Sequence, residues 1–213
     1  MTELLVGPGY KPAFSAIALV LNFVAFLPYY RDILGDVVKP HVFSWGIWSA
    51  GTLIIFFAQL SDGAGIGAWP IGVSGLLTGG VALLALTRAA DTSIARMDYV
   101  FLILAASALP LWFLSSSALS AVIILTLVDL LGFGPSARKA YAMPNEESVT
   151  FFAIGAIRNV LIVMALEHVS WTTALFPAAV GLACCGFVGL ILIRRQMVPQ
   201  ELVPGAEALK DLV

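Results

Sequence analysis

The chain reads twice. Residues 22–88, moved 107 positions along without a gap, fall on residues 129–195. Phe26 meets Phe133, Pro28 meets Pro135, Arg31 meets Arg138 and Pro70 meets Pro177. Val73 meets Val180, Gly79 meets Gly186, Val81 meets Val188 and Arg88 meets Arg195. About 13 of roughly 67 positions are identical, where this composition gives roughly 6 by chance. The aligned stretches are apolar, so the repeated unit is a bundle of hydrophobic helices copied in the same orientation. Parallel repeats about an axis along the membrane normal are a transporter architecture with its site at the repeat interface.

Composition supports a membrane setting. The chain is 60% hydrophobic and 11% charged, with a mean hydropathy of +0.98. Soluble domains carry about 25% charged residues. A helix of about 17–25 apolar residues crosses a bilayer. Seven such stretches are expected, near 14–30, 42–60, 66–87, 97–114, 117–134, 148–166 and 171–193. The period-2 pattern of a membrane barrel is missing. The first apolar run has the length of a span and no convincing cleavage site, so it is expected to be a span.

The loop charges orient the bundle. Arg31 with Lys39, Arg88 with Arg96, Arg138 with Lys139, and Arg194 with Arg195 and Lys210 follow spans one, three, five and seven. The loops after spans two, four and six carry no lysine or arginine. The positive-inside rule then places the C-terminus in the cytoplasm and the N-terminus outside, in the plasma (inner) membrane. The expected fold is an all-α membrane protein with seven transmembrane helices. Two parallel three-helix-bundle repeats are joined by a linker helix (3+1+3). Three spans invert a chain, so a second copy in the same orientation needs one more crossing. The plan reads as an outer N-terminal segment (1–13), bundle one (14–90), linker helix (91–116), bundle two (117–195) and a cytoplasmic tail (196–213).

Inside the spans the polar residues are few. Asn22 and Asp129 are partners in the repeat, about 9 Å deeper than the prolines that follow them. Arg158 and Asn159 fall near the middle of span six, opposite Gly51 and Thr52 of the first copy. A charge at that depth costs roughly 2.5–3.5 kcal/mol and normally faces a cavity or a partner. Arg158 is long enough to reach Asp129. Two readings follow: a central solute site lined by Asn22, Thr52, Asp129, Arg158 and Asn159, or a buried pair that fixes helix register. Pro28 and Pro135 weaken their helices near the inner ends. They either act as hinges of a gate or mark the helix ends.

Other features are read as structural. Trp69-Pro70 and Phe176-Pro177 open spans three and seven, with their aromatics at the interface. Gly75, Gly79 and Gly186 allow close helix approach. Cys184 and Cys185 are buried small hydrophobes. Asp98 is an interfacial charge. Glu167-His168 sits at the outer end of span six, and a histidine beside a glutamate either titrates near neutrality or lies exposed in a loop. Lys39, His41, Ser44, Glu146, Glu147 and Ser148 cap helices at the inner face, or Lys39 and Glu146 meet as an inner gate. Trp45 and Trp48 serve as belt or packing residues, or as a solute platform.

A parallel three-one-three bundle with a proline near the inner end of spans one and five resembles the SWEET and PQ-loop superfamily. The resemblance covers about residues 14–195. Pro28-Tyr29 and Pro135-Ser136 lack the glutamine that usually follows the family's proline, so the chain resembles a divergent member. The resemblance implies transport of a small polar solute such as a sugar by alternating access, with Pro28 and Pro135 as hinges. A receptor or scaffold that binds a ligand without moving it is the alternative. Span seven has no lysine, which excludes a retinal protein. No HExxH, paired Cys/His set or Ser–His dyad is present, so no enzyme activity is expected. His41 and His168 are expected on opposite faces, so no metal site is expected. Cofactors and nucleic acid are not expected either. The bilayer and a small solute are the expected partners, and a monomer holds a complete pathway.

Overall fold

The computed structural model describes residues 9–35, 40, 42–87, 96–142, 144 and 149–197. Among these, seven α-helices form one bundle: α1 (Tyr10–Leu34), α2 (Val42–Ser61), α3 (Trp69–Thr87), α4 (Arg96–Ser115), α5 (Ala118–Ala142), α6 (Val149–Ala165) and α7 (Trp171–Met197). A short 3₁₀ turn, Gly65–Ala68, leads into α3. Three segments are long and apolar enough to cross a membrane, namely Tyr10–Leu34, Gly65–Thr87 and Trp171–Met197. The order and spacing of helices follow the sequence reading, but α1 and α5 run longer than expected. Each continues beyond the position of its proline, Pro28 or Pro135. Neither proline ends its helix.

The helix pairing is specific. In the first half, α3 packs against both α1 and α2. In the second, α7 packs against both α5 and α6. Across the bundle α1 meets α6 and α2 meets α5, while α4 lies mainly against α5. Helix starts repeat as well: α2 begins at 42 and α6 at 149, and α1 begins at 10 and α5 at 118. Ring pairs repeat too. Phe26 and Trp45 lie 6.5 Å apart, and so do Phe133 and Phe152, the residues 107 positions on.

The bundle is apolar on its surface as well as in its core. Leu114, Phe113 and Leu182 are among many large apolar side chains that face outward. Asn22, Gln59, Asn159 and Thr173 are fully buried. Apolar surface of this extent marks contact with a membrane or with another protein.

Helix ends use local chemistry. Pro12 falls in the first turn of α1, where its missing N–H is not needed. Ser170 and Thr173 cap α7 reciprocally, each hydroxyl accepting the other's backbone N–H (3.2 and 2.9 Å). Pro70 sits in the first turn of α3 as expected. Pro177 instead lies inside α7, because that cap starts the helix six residues earlier. Phe176 is buried, and Trp69 and Trp171 take the exposed positions at these helix starts.

Glycine lets α3 approach α2. A Cβ on Gly75 would stand 2.9 Å from Leu53 Cδ2, and one on Gly72 would stand 2.8 Å from the Phe56 ring. Gly79 meets Ser49 Oγ in the same way, but its repeat partner Gly186 has nothing within 4 Å and does not share that role. Gly75→Ile therefore overpacks the α2–α3 seam, at a cost of about 1–3 kcal/mol. The expected outcome is a lower midpoint of thermal unfolding in detergent; an unchanged midpoint would refute the close seam.

Candidate functional site

The polar residues of the interior form two neighbouring groups. Asn22 comes from α1, Ser74 from α3 and Arg158 from α6. The Asn22 amide nitrogen donates to the Pro70 carbonyl at 2.8 Å, which fixes its oxygen toward Arg158. Arg158 Nη1 donates to Asn22 Oδ1 at 2.7 Å and to Ser74 Oγ at 3.4 Å. The Pro70 carbonyl, at the start of α3, has a second lone pair that accepts this bond beside its place in the helix.

The second group lies between α2 and α5. A cavity of about 10 Å³, room for a single water-sized sphere, is lined by Trp48, Gly51, Thr52, Leu125, Asp129 and Phe176, among others. Trp48 packs closely on Gly132 of α5, where a Cβ would stand 2.9 Å from the indole. Thr52 and Asp129 thus share one small space.

The expected contact between Asp129 and Arg158 is not made. Among the described residues no ion pair joins them within 4.0 Å, and Arg158 binds the neutral Asn22 instead. The reason is the Asn22 amide. It projects into the α1–α6 seam already oriented by Pro70, and offers an acceptor at contact distance. Asn159 faces its own half. Its Nδ2 donates to the Gly155 carbonyl at 2.9 Å, and its Cβ lies over Gly181 of α7. Arg158 Nε and Asn159 Oδ1 are buried without a hydrogen-bond partner.

Sequence reasoning missed Ser74 and Gln59. Gln59 Nε2 crosses from α2 to the Thr173 carbonyl of α7 at 2.7 Å. The available signal was an amide in an apolar span where the second copy has Leu166. It also treated Glu167-His168 mainly as a loop. The structure knits this loop to the α2–α3 connection. Ile66 N–H donates to Glu167 Oε1 at 3.2 Å, and Glu167 N–H donates to the Ala64 carbonyl at 3.0 Å. Ser170 Oγ donates to the Asp62 carboxylate, and His168 Nδ1 lies 2.8 Å from the Asp62 carbonyl. Gly65, at φ +61°, leaves room for the Glu167 carboxylate, which any Cβ there would strike. From α1, Lys11 reaches the Glu167 carbonyl and Ser15 the Ile66 carbonyl.

Pro28 lies inside α1, and position 135 lies inside α5. Lys39, His41, Glu146, Glu147 and Ser148 lie outside the described residues. No group of three or more His, Cys, Asp or Glu that could hold a metal occurs among the described residues. Compared with protein-family models, with curated proteins and with solved structures, the chain gives no match.

The Arg158–Asn22 bond yields a direct test. Asn22→Leu leaves a buried guanidinium without its main acceptor and lowers stability by about 1–3 kcal/mol. Asn22→Asp, which keeps an acceptor of the right reach, loses less. Thermal unfolding of both variants in detergent checks the order; equal losses would contradict it.

Proposed function

We propose that the chain is an integral membrane transporter of the SWEET and PQ-loop architecture, moving a small polar solute between two three-helix bundles. The observation that carries this reading is the helix pairing. The third helix of each half packs against the other two, and the halves meet only through α1–α6 and α2–α5 among their strongest contacts. Repetition of the same pairing supports a 3+1+3 plan with α4 as linker. Polar residues sit at both crossing seams, Asn22 and Arg158 at one and Thr52 and Asp129 at the other.

Loop charge places the knitted end outside. Arg31, Arg194 and Arg195 lie at the opposite end, on the cytoplasmic side by the positive-inside rule. The outer bonds link the α2–α3 connection of one half to the α6–α7 connection of the other. With a cavity that admits one water-sized sphere, this is the closed-outside member of an alternating-access pair. Pro28 and Pro135 weaken α1 and α5 near their inner ends, where the halves would part on the other side.

Two experiments test this reading. A solute that raises the unfolding temperature of the purified protein is expected to enter proteoliposomes saturably, and Asp129→Asn to abolish uptake without loss of folding. Saturable binding with no flux would favour a receptor instead. For the outer latch, Thr52→Cys in a background lacking Cys184 and Cys185 reports access to the seam. Adding Asp62→Ala and Glu167→Ala is expected to raise its labelling by an external, impermeant thiol reagent about tenfold, a shift of about 1.4 kcal/mol. Unchanged labelling would remove the latch from the cycle.

A further inference from the structure

Arg158 is bound at one end only. Both of its hydrogen bonds among the described residues leave Nη1, and both go to neutral acceptors, Asn22 Oδ1 and Ser74 Oγ. Nε is buried and has no partner. No carboxylate lies within 4.0 Å of the guanidinium among the described residues. A guanidinium keeps its charge at every physiological pH, so it is uncompensated at contact distance. Its Nε–Nη2 edge is a planar two-donor fork that matches the two oxygens of a carboxylate. The next residue, Asn159, offers a buried acceptor oxygen that is also unpartnered. Asp129, at the other seam, makes no hydrogen bond among the described residues and borders the small cavity with Thr52. The site therefore holds one cation and one anion that do not neutralise each other by contact.

We propose that the solute is a small carboxylate, bound through the Nε edge of Arg158, with a hydroxyl or ammonium donor a few bonds away directed to Asp129. This rests on the transporter reading above. A neutral sugar would satisfy the amides and Thr52, but it would leave the guanidinium without a counter-charge in an apolar bundle. Asn22 and Ser74 then act as positioning residues. They hold Nη1 and leave the Nε edge of the guanidinium without a protein partner. The cavity beside Asp129 is far smaller than such a solute, so binding follows parting of the two halves.

The test uses the full chain in proteoliposomes and in detergent, with four probes: L-lactate, L-alanine, glucose and propane-1,2-diol. Lactate or alanine is expected to stabilise the protein and to be taken up saturably, with acetate competing, while both neutral probes do neither. Alanine over lactate identifies an ammonium donor, and lactate over alanine a hydroxyl; either outcome upholds the carboxylate. Arg158→Gln is expected to weaken carboxylate binding at least about tenfold, and Arg158→Lys to recover part of it. Acetate competition in the unaltered protein needs no variant, so a misfolded Arg158→Gln leaves the test intact. Uptake of glucose or the diol that acetate does not inhibit would overturn the carboxylate and leave transport standing. Stabilisation by a carboxylate with no flux would uphold the carboxylate site and overturn transport. No response to either carboxylate would overturn the proposal.

Discussion

A guanidinium inside an apolar bundle is the constraint around which the rest is arranged. Arg158 cannot lose its proton, and its charge is costly to bury. The chain answers with neutral oxygens from two other helices rather than with a fixed carboxylate. That choice ties α6 to α1 and α3, and so ties the two halves together at one seam. It also leaves part of the guanidinium free, which a tight ion pair would not. Asn22 can serve in this way because Pro70 occupies its amide nitrogen and turns its oxygen outward to Arg158.

The first and third helices of the two halves keep their packing with different side chains. In the second half, Phe187 of α7 stacks on Phe152 at 4.5 Å and meets Phe133 at 5.4 Å. Its repeat partner is Gly80, which carries no side chain. There Tyr30 of α1 fills the space, its hydroxyl standing where a Gly80 Cβ would point and donating to the Leu77 carbonyl at 2.6 Å. The repeat partner of Tyr30 is Ala137. Large and small have traded places between first and third helices, so the interhelical volume is kept. Close packing makes such exchanges compensatory, because a lone large-to-small change leaves a cavity.

Helix order and helix number were legible in the sequence because both depend on local hydropathy, and Asn22, Thr52 and Asn159 stood out as polar residues within apolar spans. Their contacts were less so. The Asp129–Arg158 pair is a sound reading of charge and depth, but it compares only positions along helix axes. Which neighbour Arg158 meets depends on rotation about those axes, and here α1 presents Asn22 first. The repeat misled at Gly186 and Pro177. In both cases identity survived while the surroundings changed, Gly186 facing open space and Pro177 lying within a helix started early by Ser170. Ser74 and Gln59 escaped notice because one hydroxyl or amide among apolar residues has no periodicity to betray it.

The latch proposed between the α2–α3 and α6–α7 connections differs in kind from the seams. The seams are apolar contacts with a few buried polar groups. The latch is built from backbone groups, two carboxylates, a serine and a histidine, with His168 and Glu167 at the exposed edge. Groups of this type find water as a substitute when they separate, so the net cost of breaking each bond is modest. Gly65 and Gly67 allow the two connections to touch at backbone distance, since a Cβ on Gly67 would stand 2.7 Å from the Leu166 backbone. Close contact, exchangeable bonds and short connections are what a closure needs if it is to open within a transport cycle. A purely apolar closure at this end would expose greasy surface to water on opening and would hold the halves in one state. In the proposed cycle the polar latch and the half-satisfied arginine work alike: each is held firmly enough to form, and each has a partner it can exchange.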